Sequence, residues 1–406
     1  MNRFKTFLTE AKNIHMEHIE DEILNHGPAG VKSAIYFLES LLAMLSSSNA
    51  SPLNITTKWD GAPAIIAGID PENGKFFVGT KGVFNKTPKV NYTAADVDKN
   101  HDGPLAKKLK TALKYFPALG IKTVLQGDMM FAEGDLSSDK IDGETYTTFQ
   151  PNTITYAVPK GSAEEKKIKA AKIGIVWHTE YTGDKLSEMS ASYNVNASSL
   201  TATKNVWFDD AKFKDVSGTA TFTKSEADEV AKKIKVMKST YGGTKRISKE
   251  ISEGIQRKEK RYLEIKSYTN VIVKAGETIK DGKLHVQGYY DWAMKKHNDH
   301  ITAAKKEATK QSRTLDQKDY KKWYNSKKGQ LYKLFDLYKE ITDAKLLVLA
   351  KLKSVKRMGT FLKTNNGFKV TDQEGFVAID SSGTAVKLVD RLEFSKANFT
   401  TDKNWM

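Results

Sequence analysis

Ile55-Thr56-Thr57-Lys58-Trp59-Asp60-Gly61-Ala62-Pro63-Ala64 is the stretch on which the reading of this chain turns. Lys58 ends a strand-like segment and is followed, after one spacer, by Asp-Gly. That arrangement fixes an amine beside a turn that lets backbone approach closely. Such an amine is a covalent nucleophile for phosphorus once it loses its proton, a state favoured by burial and by neighbouring cations. The tetrad alone is close to what chance supplies, and Lys140-Ile141-Asp142-Gly143 repeats it. The motifs downstream of each lysine, and their order, separate the two.

Upstream, Ala34, Phe37, Leu38, Leu41, Leu42 and Leu45 form an amphipathic helical stripe that the Ser-rich run to Pro52 ends. From Leu53 to about Gly183 the texture is of short strands: Ile55–Trp59, Ala64–Ile69, Lys75–Gly79, Thr123–Phe131, Thr153–Val158 and Lys172–Tyr181. One helix, Pro104–Phe116, interrupts them. Residues 184–222 read as a polar connector with a few short strands. Helical periodicity then returns in Ile247, Ile251 and Ile255 and in Leu331, Leu334, Phe335, Tyr338 and Ile341. Strand texture resumes at Phe368–Val370, Gly375–Asp380 and Ala385–Leu392. The expectation is an α+β chain with a mainly antiparallel core, because regular βα alternation is missing. It divides into N-terminal helices (1–50), a first core part (51–222), a basic helical insertion (223–358) and a second core part (359–406).

The 406 residues and 39% hydrophobic content suffice for a core, and the absence of cysteine excludes disulfides, thiolate metal sites and cysteine nucleophiles. With no run of eighteen apolar residues and a charged amino terminus, the expectation is a soluble cytoplasmic monomer without a membrane partner. The net charge of +16 is localised: residues 224–357 hold 34 Lys+Arg against 17 Asp+Glu, leaving 31 against 32 elsewhere. A localised basic surface is the footprint of a polyanion, here a nucleic acid. Arg257, Lys258, Lys260, Arg261, Lys322, Lys327 and Lys328 are its candidate contacts, interleaved with Tyr262, Tyr268, Tyr289, Tyr290, Trp292, Tyr320, Trp323 and Tyr324. Those rings either stack on unpaired bases or anchor the helices to one another.

Downstream of Lys58 come Thr80-Lys81-Gly82, Leu125-Gln126-Gly127-Asp128, Ile175-Val176-Trp177-His178-Thr179, Glu374-Gly375-Phe376-Val377-Ala378 and Val386-Lys387-Leu388-Val389. In this order the series resembles the motifs of the covalent nucleotidyltransferases, the superfamily of ATP-dependent DNA and RNA ligases and messenger-RNA capping enzymes. Lys140 has no such series behind it. The runs His15–Leu24, Lys58–Ala64 and Val176–Gly183 also resemble an uncharacterised family from tailed bacteriophages, which implies a host cytoplasm.

The resemblance implies an antiparallel nucleotidyltransferase core using ATP and Mg2+. Lys58 would take AMP as a phosphoramidate and pass it to a 5′-phosphate, after which a 3′-hydroxyl would seal the strand. It further implies that Asp60 orients the nucleophile's surroundings, Asp128 contacts ribose and Trp177 stacks on adenine. Glu374 would bind the metal, while Lys81 and Lys387 stabilise phosphate charge. The nineteen residues after Lys387 are too few for an oligonucleotide-binding barrel, which sets RNA ligation ahead of DNA nick sealing and of capping. Three departures stand out: Ala62-Pro63-Ala64 after Asp-Gly, Asp128 where glutamate is usual, and Val389 where a second lysine normally stands. Arg391 or Lys396 could replace that lysine. The rival is a nucleotidyltransferase-fold protein that binds nucleic acid with weak or no turnover. His178 reads as structural, and His15, His18 and Glu22 as a polar helix face rather than a metal site.

Overall fold

The strand-rich stretches form three sheets, and the N-terminal and insertion helices form one layer packed against the smallest of them. The computed structural model describes residues 16–46, 53–193, 195–213, 221–355, 358–364, 367–382 and 384–392. In chain order the elements are α1 (Glu22–Asn25), α2 (Gly27–Ser46), β1 (Asn54–Lys58), β2 (Ala64–Ile69), β3 (Phe76–Gly79), α3 (Ala94–Asn100), α4 (Gly103–Tyr115) and β4 (Val124–Ala132). Next are β5 (Ser137–Ile141), β6 (Glu144–Phe149), β7 (Thr155–Pro159), α5 (Ala163–Ala170), β8 (Ile173–Thr182), β9 (Ser190–Ser192) and β10 (Val206–Asp210). The helices α6 (Lys224–Gln256), α7 (Lys260–Lys274), α8 (Gly282–Thr302) and α9 (Glu307–Lys353) precede β11 (Gly359–Thr364), β12 (Gly367–Val370), β13 (Gly375–Ile379) and β14 (Ala385–Leu388).

The sheets run β1-β13-β14, then β10-β8-β4-β2-β3 with β9 on β8, then β12-β11-β7-β6-β5. Pairing is antiparallel except between β8 and β10, so the fold is mixed α and antiparallel β. Two of the sheets join strands that precede the long helices to strands that follow them: β1 pairs with β13, and β7 with β11. The Lys140 tetrad lies at the β5–β6 hairpin. Asp142 and Gly143 both have positive φ, +51° and +86°, the two-residue turn that Asp-Gly favours, and Lys140 is exposed beside it.

The stretches read as separate N-terminal helices and insertion are one layer in space. Val31, Phe37 and Leu41 of α2 share a core with Val230, Ile247 and Ile251 of α6, Leu334 and Ile341 of α9, and Phe376, Val386 and Leu388 of the small sheet. Thr223 starts α6 with a reciprocal cap: its hydroxyl accepts from Glu226 N at 3.3 Å and the Glu226 carboxylate accepts from Thr223 N at 2.7 Å. Among the described residues α2 alone is long and apolar enough to cross a membrane, and half of it is buried inside the protein.

Candidate nucleotide-binding cleft

Lys58 is the last residue of β1 and pairs in register with Gly375, the first of β13. Glu374, one residue earlier, forms an ion pair with Lys58 Nζ. Glycine is required at 375. Its φ is +151°, and a Cβ would lie 2.5 Å from the Leu388 carbonyl and 2.8 Å from Val389 Cγ2. The close approach of β14 thus seats Glu374 against Lys58.

The loop after Lys58 is held from the neighbouring sheet. Trp59 stacks on Tyr156 of β7, with ring centroids 5.3 Å apart, and the Tyr156 hydroxyl accepts from Asp60 N at 2.8 Å. The buried Asp60 carboxylate accepts from Asn152 Nδ2, Thr153 N and Ile154 N, each at 2.7 Å. Asp60 therefore anchors the loop and orients what surrounds the lysine. Gly61 admits β4, since a Cβ there would lie 2.6 Å from Asp128 Cβ.

On β4 a bulge falls between Gln126 and Gly127, and Gly127 faces Trp177 across the pairing with β8. A Cβ at 127 would meet the Val176 carbonyl at 2.6 Å and the Trp177 ring at 2.8 Å. The next residue, Asp128, consequently points to the other face, where Lys58 lies. The assignment of Trp177 as the base-stacking ring is corrected by this geometry. Trp177 is fully buried, edge-on to Phe116, in the core beneath α4. Alternation puts His178 on the opposite face, that of Asp128, with its Nε2 3.6 Å from Asp128 Oδ1.

Lys387 lies on β14 opposite Val377, and Lys81 is exposed in the short turn after β3. Lys387 is held below the ordinary lysine range by burial, then by Lys58, with Lys81 adding and Glu374 and Glu17 opposing. Around Lys58 the imbalance is reversed. Burial acts to lower its amine, but the pairing with Glu374 and the charges of Asp128 and Asp60 outweigh it and raise the pKa. Burial likewise raises Glu374, reinforced by Asp60 and Asp128 and opposed by Lys58. Asp60, Asp128 and Glu374 all act on the one amine of Lys58, and the three carboxylates outweigh its burial.

Val389 is 5% exposed in the apolar cluster that holds Trp59, so the missing second lysine is replaced by core. Arg391 does not substitute for it. Its guanidinium donates to Asp21 at 3.2 Å, to the Tyr338 hydroxyl at 3.0 Å and to Asn270 at 2.5 Å. Lys396 lies outside the described residues, as does His15.

The helical candidates divide. Lys258, Lys260, Lys322 and Lys328 are exposed. Lys327 is paired with Glu250, Arg257 with Glu259 at 2.6 Å, and Arg261 sits 5.5 Å over Trp323. The interleaved aromatics pack on one another, as in Tyr290 on Tyr324 at 4.1 Å and Tyr262 against Trp323 at 5.8 Å. They anchor the helices, and Tyr262, Tyr289, Tyr320 and Tyr324 are buried out of reach of base stacking.

Sequence reasoning passed over Tyr156 and Asn152, and it read the stretch around His18 as a polar helix face, whereas His18 lies outside any helix in a bridge to Lys387. Lys387 N donates to Glu17 O at 2.9 Å and Ile19 N to Lys387 O at 3.3 Å, a pairing across the whole chain that leaves no local signal. For His178 the signal was strand alternation, once Gly127 is set opposite Trp177. No curated protein and no solved structure matches the chain. Residues 13–403, which carry the whole cleft, match the model of DUF6267, described as a family of unknown function, and the chain belongs to that family.

Proposed function

We propose that the chain is an ATP-dependent polynucleotide ligase of the covalent nucleotidyltransferase fold, with RNA ends ahead of DNA nicks as substrate. One observation carries this reading: Lys58, Lys81, Asp128, Glu374 and Lys387, from five separate segments, share one electrostatic neighbourhood. In the first step the Lys58 amine attacks the α-phosphorus of ATP. A phosphorus–nitrogen bond forms, the bond to pyrophosphate breaks, and the proton released from the amine passes to solvent. Glu374 governs readiness, because its ion pair keeps the amine protonated. When Glu374 turns to another partner, burial and the Lys387 cation favour the neutral nucleophile. A 5′-phosphate then accepts the adenylate, and a 3′-hydroxyl displaces AMP as the strand closes.

Magnesium fits as an ion that arrives with the triphosphate. Among the described residues no group of three or more His, Cys, Asp or Glu side chains could hold a metal, and this ion ordinarily takes one or two carboxylates plus phosphate oxygens. Glu374 would hold it, and it would neutralise triphosphate charge. Asp128 is positioned for ribose, and His178 is the ring beside it. Val389 favours the rival, a binder without turnover.

Incubation with α-labelled ATP and magnesium separates the two. An acid-labile covalent label lost in Lys58→Ala and kept in Lys140→Ala supports the ligase. No label from ATP, GTP or NAD sinks it, and label from GTP alone favours a guanylyltransferase.

A further inference from the structure

We propose that the N-terminal segment Glu17–Asp21, locked to α9 by Lys345, Tyr338 and Arg391, is the positioning element for Lys387. The inference rests on the ligase reading for its rate prediction, and on geometry alone for its structural part. Lys387 is held from two sides. β13 pairs with it through Val377, and the segment runs parallel along its other edge, with hydrogen bonds of 2.9 Å from Lys387 N to Glu17 O and 3.3 Å from Ile19 N to Lys387 O.

What fixes the segment is a buried polar network. Lys345 Nζ, 1% exposed, donates to Glu20 Oε1 at 2.7 Å and to the carbonyl of Val389 at 2.9 Å. One α9 side chain therefore ties the segment to the end of β14. Tyr338, two turns earlier on α9, donates to Asp21 at 2.7 Å, and Arg391 joins both while reaching Asn270 of α7. Lys266 of α7 adds bonds to Glu17 at 3.2 Å and Asn25 at 3.0 Å. Isolated, a buried lysine–glutamate pair contributes little net stability, because desolvation offsets its attraction. Here the pair fixes register instead: it sets how far β14, and Lys387 on it, extends along the cleft. Through this network a shift of α9 against the sheet reaches a phosphate-handling lysine without touching substrate.

The test replaces both charges, Glu20→Met with Lys345→Met, so that neither is left buried alone. Tyr338→Phe is the milder companion. Backbone hydrogen exchange is read at Ile19 and Lys387, and lysyl-AMP formation at varied ATP. The double variant is expected to unfold within a few degrees of the parent. Its exchange at those two amides should rise at least tenfold. Its rate at saturating ATP should fall at least tenfold, with half-saturating ATP changed less than threefold. Tyr338→Phe should move all three in the same direction by less. Parent-like exchange and rate in either folded variant overturn the proposal, as does a rise in half-saturating ATP with the rate unchanged. If the parent takes no label, the ligase reading fails and exchange alone decides the positioning claim. If the double variant does not fold, Tyr338→Phe decides it.

Discussion

The cleft and the helical layer are both rich in charge, and they dispose of it in opposite ways. In the helical layer many cations are exposed or lie against carboxylates near the surface: Lys327 with Glu250, Arg257 with Glu259, and Lys233 with Glu340 and Asp343 at 3.3 and 2.9 Å. In the cleft Asp60, Asp128 and Glu374 crowd around Lys58, while Lys387 feels the repulsion of Lys58 and Lys81. Charge that is paired at a surface contributes little and specifies little. Charge that is buried and unequal marks a place where the protein has left electrostatic work for a ligand. A count of lysines therefore points to the helices, whereas their environment points to the cleft.

The sharpest way to break this contrast is Lys58→Arg. It keeps a cation against Glu374 yet should lower covalent AMP labelling by roughly 10³-fold or more, with unfolding temperature unchanged. Parent-like labelling would return Lys58 to the class of structural ion pairs. Next is Asp60→Ala, which removes the acceptor of three hydrogen bonds and should cost about 3 kcal/mol in denaturant unfolding. A loss under about 1 kcal/mol would mean that the loop is held by Trp59 and Tyr156 instead.

Glu22 probes the seam between the regions. Burial, then Glu17 and Asp21, raise its carboxyl to about 7 against the pull of Lys266. A carboxyl raised in the fold favours folding while protonated. The parent should therefore lose stability as pH climbs from the ordinary value of 4.5 to about 7, and level off above. Glu22→Gln should match the parent at the acid end and exceed it by roughly 2 kcal/mol at about pH 8 in thermal unfolding. The smallest effect is expected from Lys322→Glu with Lys328→Glu. Stability should hold, while the slope of log affinity for single-stranded RNA against log salt shrinks by about 1.4, or roughly 0.7 per lost phosphate contact. An unchanged slope would make these lysines plain solvated surface.

The split between what was legible in sequence and what was not follows the range of the interactions. Asp60, Asp128 and Glu374 each stand beside a glycine in sequence, at Gly61, Gly127 and Gly375, and that local mark led to the neighbourhood they share with Lys58, whereas Lys387, inside β14, carries no such mark. The mixed antiparallel class was legible from local strand texture. Trp177 was misread because its face depends on Gly127, a residue fifty positions away that permits close strand packing. The β5–β6 hairpin was passed over because Ser137–Ile141 is too polar to read as a strand, although Asp142-Gly143 is a strong turn signal. The aromatics of α7–α9 could be read either way until the neighbouring helices were in place. The link from Glu17 to Lys387 has no sequence signature, because it joins residues from opposite ends of the chain.

That separation has a consequence for how the protein comes into being. Lys58 and Glu374 are 316 residues apart, and β1 finds its sheet partner only when β13 emerges. Contacts so distant in sequence form late in folding and slowly. A nascent or truncated chain would carry the lysine with no partner and no cleft. The Lys58–Glu374 ion pair is thereby delayed until β13 has been made, a delay written into strand order rather than into any regulatory segment.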